Sequence, residues 1–391
     1  MALRAPFSLL ATLLFVRLAD EWFGFFPAGA LEPIRADLRL SYGEAGLVLA
    51  ALPAGGLVGN GFAVAADFVD RRWLAGAGAA VYGLCLAAFA LSDSLPVLLA
   101  AAFIWGAASD AFVHGCEVAL VDLARTSGGD LAPALGRVNA YGAVGDLLGP
   151  LTLAGAAALG VSWRGVFLAG AALMLLYAAW IAGQAFPTAQ PLPEAKTPVA
   201  AVLGVVRDRR LVLLALVDGL FGLLDEPFLG FTIAYLERVR NLSPTAATAI
   251  IAVAVAAGIV GFLSVPVFTR RLKPGSLLVG FGVLVALAIP ALVVAPVVPL
   301  QVLAAFTFGF AGAAFYAVLQ ATYLGLRPGQ AGTSQAIVST IGLFGIGFPA
   351  LVGAVSDTFG LTAGLGLYAA VPLGILLLLA PGTVPRTAPR S

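Results

Sequence analysis

Across 391 residues, 61% are hydrophobic and 10% are charged, against roughly 25% charged in a soluble domain. With a mean hydropathy of +1.03, the chain has too few polar side chains to cover a water-exposed surface, so it must face lipid. A net charge of +1 and the lack of any basic run interleaved with aromatics exclude a nucleic-acid partner.

A spanning helix needs about 20 mostly apolar residues, and breaks in hydropathy define such segments in chain order. The first, 7–30, carries Arg17, Asp20 and Glu21. It lacks a polar region with a small-residue cleavage site, so it reads as a retained transmembrane helix and not a signal peptide. The segments 42–66 and 74–91 flank the loop Asp67-Phe68-Val69-Asp70-Arg71-Arg72. The fourth, 95–124, carries Asp110, His114 and Glu117, spaced four and three, which puts them on one helix face. The fifth, 134–159, carries Arg137, Asn139 and Asp146, and 165–186 closes the first half. The polar stretch from Pro187 to Arg210, with four prolines, reads as a linker. Beyond it come 211–236, 245–268, 276–295, 297–325, 332–356 and 362–380. The seventh holds Asp218, Asp225 and Glu226, the last two just before Pro227, where a lost backbone donor favours a break. The tenth holds Tyr316 and Gln320. The sequence thus predicts an all-α membrane protein of twelve transmembrane helices in two six-helix bundles: 1–186, a cytoplasmic linker 187–210, and 211–391.

With the N-terminus cytoplasmic, fourteen of the 21 Lys and Arg residues fall in cytoplasmic loops and tails, and five on the opposite side. This asymmetry predicts both termini inside and a cell (inner) membrane location. The halves also repeat. Phe103, Gly106, Ala108, Ala111 and Phe112 recur 203 positions later as Phe306, Gly309, Ala311, Ala314 and Phe315. Asp20, Phe23 and Gly24 recur 198 later as Asp218, Phe221 and Gly222, and Gly142 and Gly145 recur 200 later as Gly342 and Gly345. Arg71 and Arg72 recur 199 later as Arg270 and Arg271. Parallel repeats of this kind imply a solute site near the bilayer midplane.

On these features the whole chain resembles the major facilitator superfamily: six plus six helices, a polar central linker and internal duplication. Asp67, Arg71 and Arg72 match that superfamily's acidic loop motif, with Asp70 in place of the usual glycine. Gly142-x-x-Gly145-x-x-x-Gly149-Pro150-x-x-x-x-Gly155 is similar to the Gly-Pro motif of its drug/proton antiporters, which implies export. The first helix, with Arg17, Asp20 and Glu21, is distantly similar to fosmidomycin-resistance exporters. The loop resemblance implies a cytoplasmic gate built from Asp67, Arg71, Arg72 and Arg125.

Ionisable residues at the centre of a span cost roughly 2.5–3.5 kcal/mol each on insertion scales and persist where they face a cavity or a partner. Arg17 and Glu21 are four apart and share a face with Asp20 beside them. A carboxyl in such a setting takes up a proton more readily, and a nearby cation opposes this, so its protonation can follow conformation. Asp20, Glu21, Glu117, Asp110 and His114 are therefore the candidates for proton coupling. Arg17, Asn139, Asp146, Asp225, Glu226, Tyr316 and Gln320 are the candidates for substrate contact. A static ion pair explains Arg17 with its acids about as well, and a hydrogen-bonded neutral imidazole explains His114. The glycines of the fifth and eleventh helices fit close helix packing better than substrate contact.

One histidine and two separated cysteines exclude a multi-histidine or disulfide framework, and no metal or cofactor is expected. No nucleotide-binding loop and no catalytic constellation is present, so the chain is read as a transporter and not an enzyme. A sensor of this fold normally needs an appended domain, whereas about ten residues follow Pro381. The expected function is secondary active, proton-coupled export of a small solute by a monomer. A uniporter or an uptake symporter is the alternative. The embedded acids outnumber Arg17 and Arg137, which favours a cationic or zwitterionic substrate, and aromatics such as Trp22, Phe23, Phe25, Phe26 and Trp105 suit an amphipathic one, though lipid-facing packing explains them equally well.

Overall fold

The structure, a computed structural model, describes residues 7–65, 70–126, 131–186, 208–326, 338 and 340–380. Its elements are helical: α1 Phe7–Gly24, α2 Phe26–Gly29, α3 Leu31–Leu38, α4 Tyr42–Ala65, α5 Arg71–Leu91, α6 Leu95–Thr126, α7 Leu131–Ala158 and α8 Trp163–Ala182. The second half contributes α9 Arg209–Gly222, α10 Glu226–Arg238, α11 Pro244–Thr269, α12 Pro274–Val294 and α13 Val298–Gly325. A 3₁₀ turn at Leu343–Gly345, α14 Phe348–Phe359 and α15 Leu361–Leu378 complete it. Among the described residues, eight of these helices are long and apolar enough to cross a membrane: α4, α5, α6, α8, α11, α12, α13 and α15. Large apolar side chains such as Leu84, Leu176, Leu263, Leu287 and Leu377 stand exposed on them. In water these would be an aggregation liability; in a bilayer they are the solvated face.

Local chemistry sets the helix starts. Ser41 and Glu44 form a reciprocal capping box at α4: the Ser41 amide donates to the Glu44 carboxylate at 2.8 Å and the Glu44 amide to the Ser41 hydroxyl at 3.1 Å. Asp70 caps α5 by accepting from the Arg72 amide at 2.9 Å, and Asp208 caps α9 by accepting from the Arg210 amide at 3.1 Å.

The first span differs from its sequence expectation of 7–30. It breaks after Gly24 and continues as α2 and α3 to Leu38. Pro27, in the first turn of α2, marks the break, and a buried polar cluster holds the extension. Glu32, 2% exposed, receives two hydrogen bonds from Arg35, at 2.8 and 3.0 Å, and one from the Tyr42 hydroxyl at 3.1 Å. Arg35, expected in an outer loop, is thus held inside a helix.

The described chain divides into two compact units. The first comprises Met1–Pro193 with Leu242–Thr248 and Pro349–Gly353; the second comprises Glu194–Asn241, Ala249–Phe348 and Ala354–Ser391. Within the first unit α4 packs along α6, α5 against α6 and α8, and α1 along α7. Within the second, α12 packs on α13 and α15, and α9 and α10 rest on α15. Glycines let backbones touch. A methyl group at Gly106 would overlap the Leu52 carbonyl, and one at Gly309, its repeat partner, would overlap the Ala254 carbonyl. The turns repeat as well. The positive-φ residues among those described are Arg39 (54°), Gly160 (69°), Asn241 (56°) and Gly360 (86°). They form two pairs, Arg39 with Asn241 after the first helix group of each half, and Gly160 with Gly360 before the last.

Arg164, at the start of α8, ties one end of the first unit together. Its guanidinium donates to Asp37 at 2.9 Å, to the Ala90 and Ser92 carbonyls at 2.6 and 2.9 Å, and to Asp93 at 3.3 Å. Charged hydrogen bonds are each worth about 1.5–3 kcal/mol, so Arg164→Ala is expected to lower stability by about that much for the carbonyl contacts it loses. Asp93 is 91% exposed, and Asp93→Asn is expected to be neutral. Unfolding midpoints of both variants check this, and equal midpoints would overturn the assignment.

Candidate functional site

The polar stretch of α1 begins from helix periodicity. Arg17, Asp20 and Glu21 lie within one turn, and the guanidinium bridges both acids: Nη1 is 3.4 Å from Asp20 Oδ2 and Nη2 is 3.2 Å from Glu21 Oε1. The second contribution comes from α6, where the Ser109 hydroxyl donates to Asp20 Oδ1. His114, further along α6, lies near enough to act electrostatically on Asp20. The third comes from α5, where the buried Tyr82 hydroxyl donates to the Asp20 carbonyl at 3.2 Å. One carboxylate therefore has a counter-ion on its own helix and a hydroxyl donor from α6, with His114 further along α6.

The glycines of α7 bring that helix against the same stretch. A methyl at Gly142 would lie 3.6 Å from Arg17 Cβ and 3.7 Å from Glu21 Cγ, whereas at Gly145 it would overlap the Leu18 carbonyl. At Gly149 it would lie 2.7 Å from Phe25 Cβ. The Gly-Pro segment is thus a packing surface for α1, joined by a 2.8 Å hydrogen bond from the Trp22 indole to Thr152. An apolar groove of about 410 Å³ runs between α1 and α8, lined by Phe15, Leu18, Trp22, Phe23 and Leu173 among others, with no charged residue. It lies on a different face of α1 from Arg17 and its acids.

Asp110 follows Ser109 but faces α4. A methyl at Gly56 would lie 3.2 Å from Asp110 Oδ2, and at Gly59 it would overlap the carboxylate. Room for the acid is made by two glycines. Asp146 stands exposed on α7. Of the residues matching the loop motif, Arg71 is 3% exposed, and Arg72 lies 3.8 Å from Asp70 with its guanidinium over the Trp73 ring at 5.2 Å. Asp67 lies outside the described residues, as do the side chains of Glu117, Arg125, Arg137 and Asn139.

In the second unit the helix breaks between α9 and α10, at Leu223–Asp225, before Glu226 and Pro227. Asp225 precedes α10 without capping it through its side chain and is exposed; Glu226 is half-buried. Before the break stands Asp218, whose Oδ1 is shielded from solvent with no hydrogen-bond partner. One turn on, the Phe221 ring stacks with Phe315 at 5.0 Å and with Tyr316 at 6.1 Å. Tyr316 and Gln320 sit half-buried on one face of α13.

Of the sequence-derived candidates, the structure brings together Arg17, Asp20, Glu21 and His114. It turns Asp110 toward α4 and holds Asp225, Glu226, Tyr316 and Gln320 in the second unit. Sequence reasoning missed Ser109, a neutral residue that no pattern marks. It also gave Asp218 less weight than Asp225 and Glu226, although the repeat pairing with Asp20 was the signal for it. No group of three metal-ligating side chains exists among the described residues.

The model of the Major Facilitator Superfamily matches residues 10–350. The chain belongs to this superfamily. It is accordingly a multi-pass membrane transporter and not an enzyme. Its fold is shared with a mutant of the nucleoside transporter NupG at a TM-score of 0.80, 14% identity and coverage of 95% of this chain and 98% of that one. A bacterial homolog of the human lysosomal transporter Spinster, in an inward-facing and unoccupied conformation, matches at 0.74 and 18% identity, over 96% and 95% of the two chains. A POT family transporter in complex with 5-aminolevulinic acid matches at 0.73 and 13% identity, over 94% of each. No curated protein sequence matches the chain.

Proposed function

We propose that this superfamily member is a proton-coupled exporter of the drug/proton-antiporter type. It moves a small organic solute across the cell (inner) membrane by alternating access. The reading takes the chain as a monomer of twelve spans with both termini cytoplasmic and bundles at 1–186 and 211–391 joined by the linker 187–210. The observation that carries it is the set of groups around Asp20. A bilayer protein retains an acid, its arginine and an imidazole inside a bundle where they face a cavity or a partner. Here the counter-ion sits on the same helix one turn away. A small change of rotamer separates the charges, and the carboxylate then gains a reason to take a proton.

Asp20, Glu21, Glu117, Asp110 and His114 are assigned to coupling, and Arg17, Asn139, Asp146, Asp225, Glu226, Tyr316 and Gln320 to the solute path. The loop residues Asp67, Arg71, Arg72 and Arg125 are assigned to the gate. The Gly-Pro motif of α7, which packs on α1, is the feature that supports export. The structural neighbours include a nucleoside transporter and a POT protein with bound 5-aminolevulinic acid, which supports a solute of small size. Flux of organic solutes in proteoliposomes, with and without an imposed pH difference, tests the reading. Wild-type flux is expected to follow the pH difference; flux indifferent to it would leave a uniporter.

A further inference from the structure

The two halves place an aspartate at the same point of their first helix, but they surround it differently. In the first unit Asp20 has Arg17 at 3.4 Å, the Ser109 hydroxyl and the nearby His114. The repeat offsets of 198 and 203 carry Arg17 to Ala215, Glu21 to Gly219, Ser109 to Gly312 and His114 to Ala317. Each of these positions has become alanine or glycine, yet the acid itself, Asp218, remains. Its Oδ1 is shielded from solvent and accepts no hydrogen bond, and among the described residues no salt bridge and no neighbouring charge reaches it. It lies nine residues into α9, roughly 14 Å along the axis and near half the hydrocarbon thickness.

An ionised carboxylate at that depth without a partner is expensive. The surroundings favour one kind of guest. Phe221, one turn on, lies flat against Tyr316 and Phe315. Gly312 makes room under the ring, where a methyl would sit 3.5 Å from Phe221 Cζ. Beside Asp218 and Phe221 the chain is open: Gly222 is exposed and a methyl there would meet nothing within 4 Å. The faces of aromatic rings attract cations, by about 0.5–2 kcal/mol depending on desolvation, and their apolar area suits a hydrocarbon body.

We propose that Asp218 anchors the positively charged group of the transported solute, an organic cation with an apolar body. In this site the ligand supplies the counter-charge that Arg17 supplies to Asp20, and the body lies along Phe221 and Tyr316. The inference rests on the transport reading for its purpose, but its binding step needs neither a gradient nor a coupled proton.

The test is equilibrium dialysis of the purified full chain in detergent with two probes of one shape and opposite charge, tetraphenylphosphonium and tetraphenylborate. The wild type is expected to bind the cation saturably and at least tenfold more tightly than the anion. Asp218→Asn is expected to lose that preference, Asp218→Glu to keep it, and Asp93→Asn, at an exposed loop acid, to leave it unchanged. A wild type that binds both probes equally would overturn the proposal even if every variant failed to fold. So would an Asp218→Asn protein that unfolds at the wild-type temperature and still prefers the cation. Binding that behaves as expected beside flux that ignores a pH difference would sink the proton-coupling reading and leave this site standing.

Discussion

Asp20→Asn is expected to exchange solute across a proteoliposome membrane but no longer to accumulate it when a pH difference is imposed. The amide keeps the volume of the carboxyl, and its oxygen still accepts from Ser109, as Asp20 Oδ1 does. It cannot take up a proton, and it removes the charge that Arg17 bridges. Packing is therefore held while titration is deleted. A pH difference of one unit is worth about 1.4 kcal/mol per proton, so a one-for-one exchanger gains up to roughly tenfold accumulation, and the variant is expected to gain none. Glu21→Gln and Glu117→Gln are the companion variants, because Glu21 shares the Arg17 guanidinium and Glu117 is replaced by Gln320 in the repeat. Measured side by side, at least one of the three should uncouple. If the wild type accumulates and all three variants accumulate as well, coupling lies elsewhere in the molecule.

Gly106→Ala and Gly309→Ala are each expected to destabilise the chain by at least about 1–3 kcal/mol, the usual cost of forcing a methyl into a filled core. The methyl at either position would overlap a carbonyl on the neighbouring helix, that of Leu52 or of Ala254. Neither backbone can retreat without parting two long helices. Gly155→Ala is the control on α7: a methyl there meets nothing within 4 Å, and replacing a mid-helix glycine by alanine gains about 0.5–1 kcal/mol. Unfolding midpoints in mild detergent should fall for the first two and hold or rise for the third. Wild-type midpoints for Gly106→Ala and Gly309→Ala would mean that the two halves do not depend on these contacts.

The paired glycines also show what was legible in advance. Gly106 and Gly309 stand out in the sequence as part of a repeat, although close packing was expected there only of the glycines of the fifth and eleventh helices. The break before Glu226 and Pro227 followed from a missing backbone donor. The membership of the superfamily followed from whole-chain features: composition, duplication, and loop and glycine motifs, each of which is local or periodic and survives in one dimension.

The break after Gly24 is marked by Pro27 in the first turn of α2, a signal the expected span of 7–30 passed over, and the extension through Leu38, with the polar Glu32, Arg35 and Asp37, was read as a loop. Burial of Glu32 against Arg35 and Tyr42 makes that polar segment helical, and burial depends on neighbours remote from any local window. The same holds for the site. Sequence determined that Arg17, Asp20 and Glu21 share a face, because helix spacing fixes it. Only the tertiary structure decided that Ser109 joins Asp20 while Asp110 turns to α4, and that Asp218 Oδ1 has no hydrogen-bond partner among the described residues. Whether a buried charge is paired depends on which side chains of other helices arrive within a few ångströms, and no pattern along one helix encodes that.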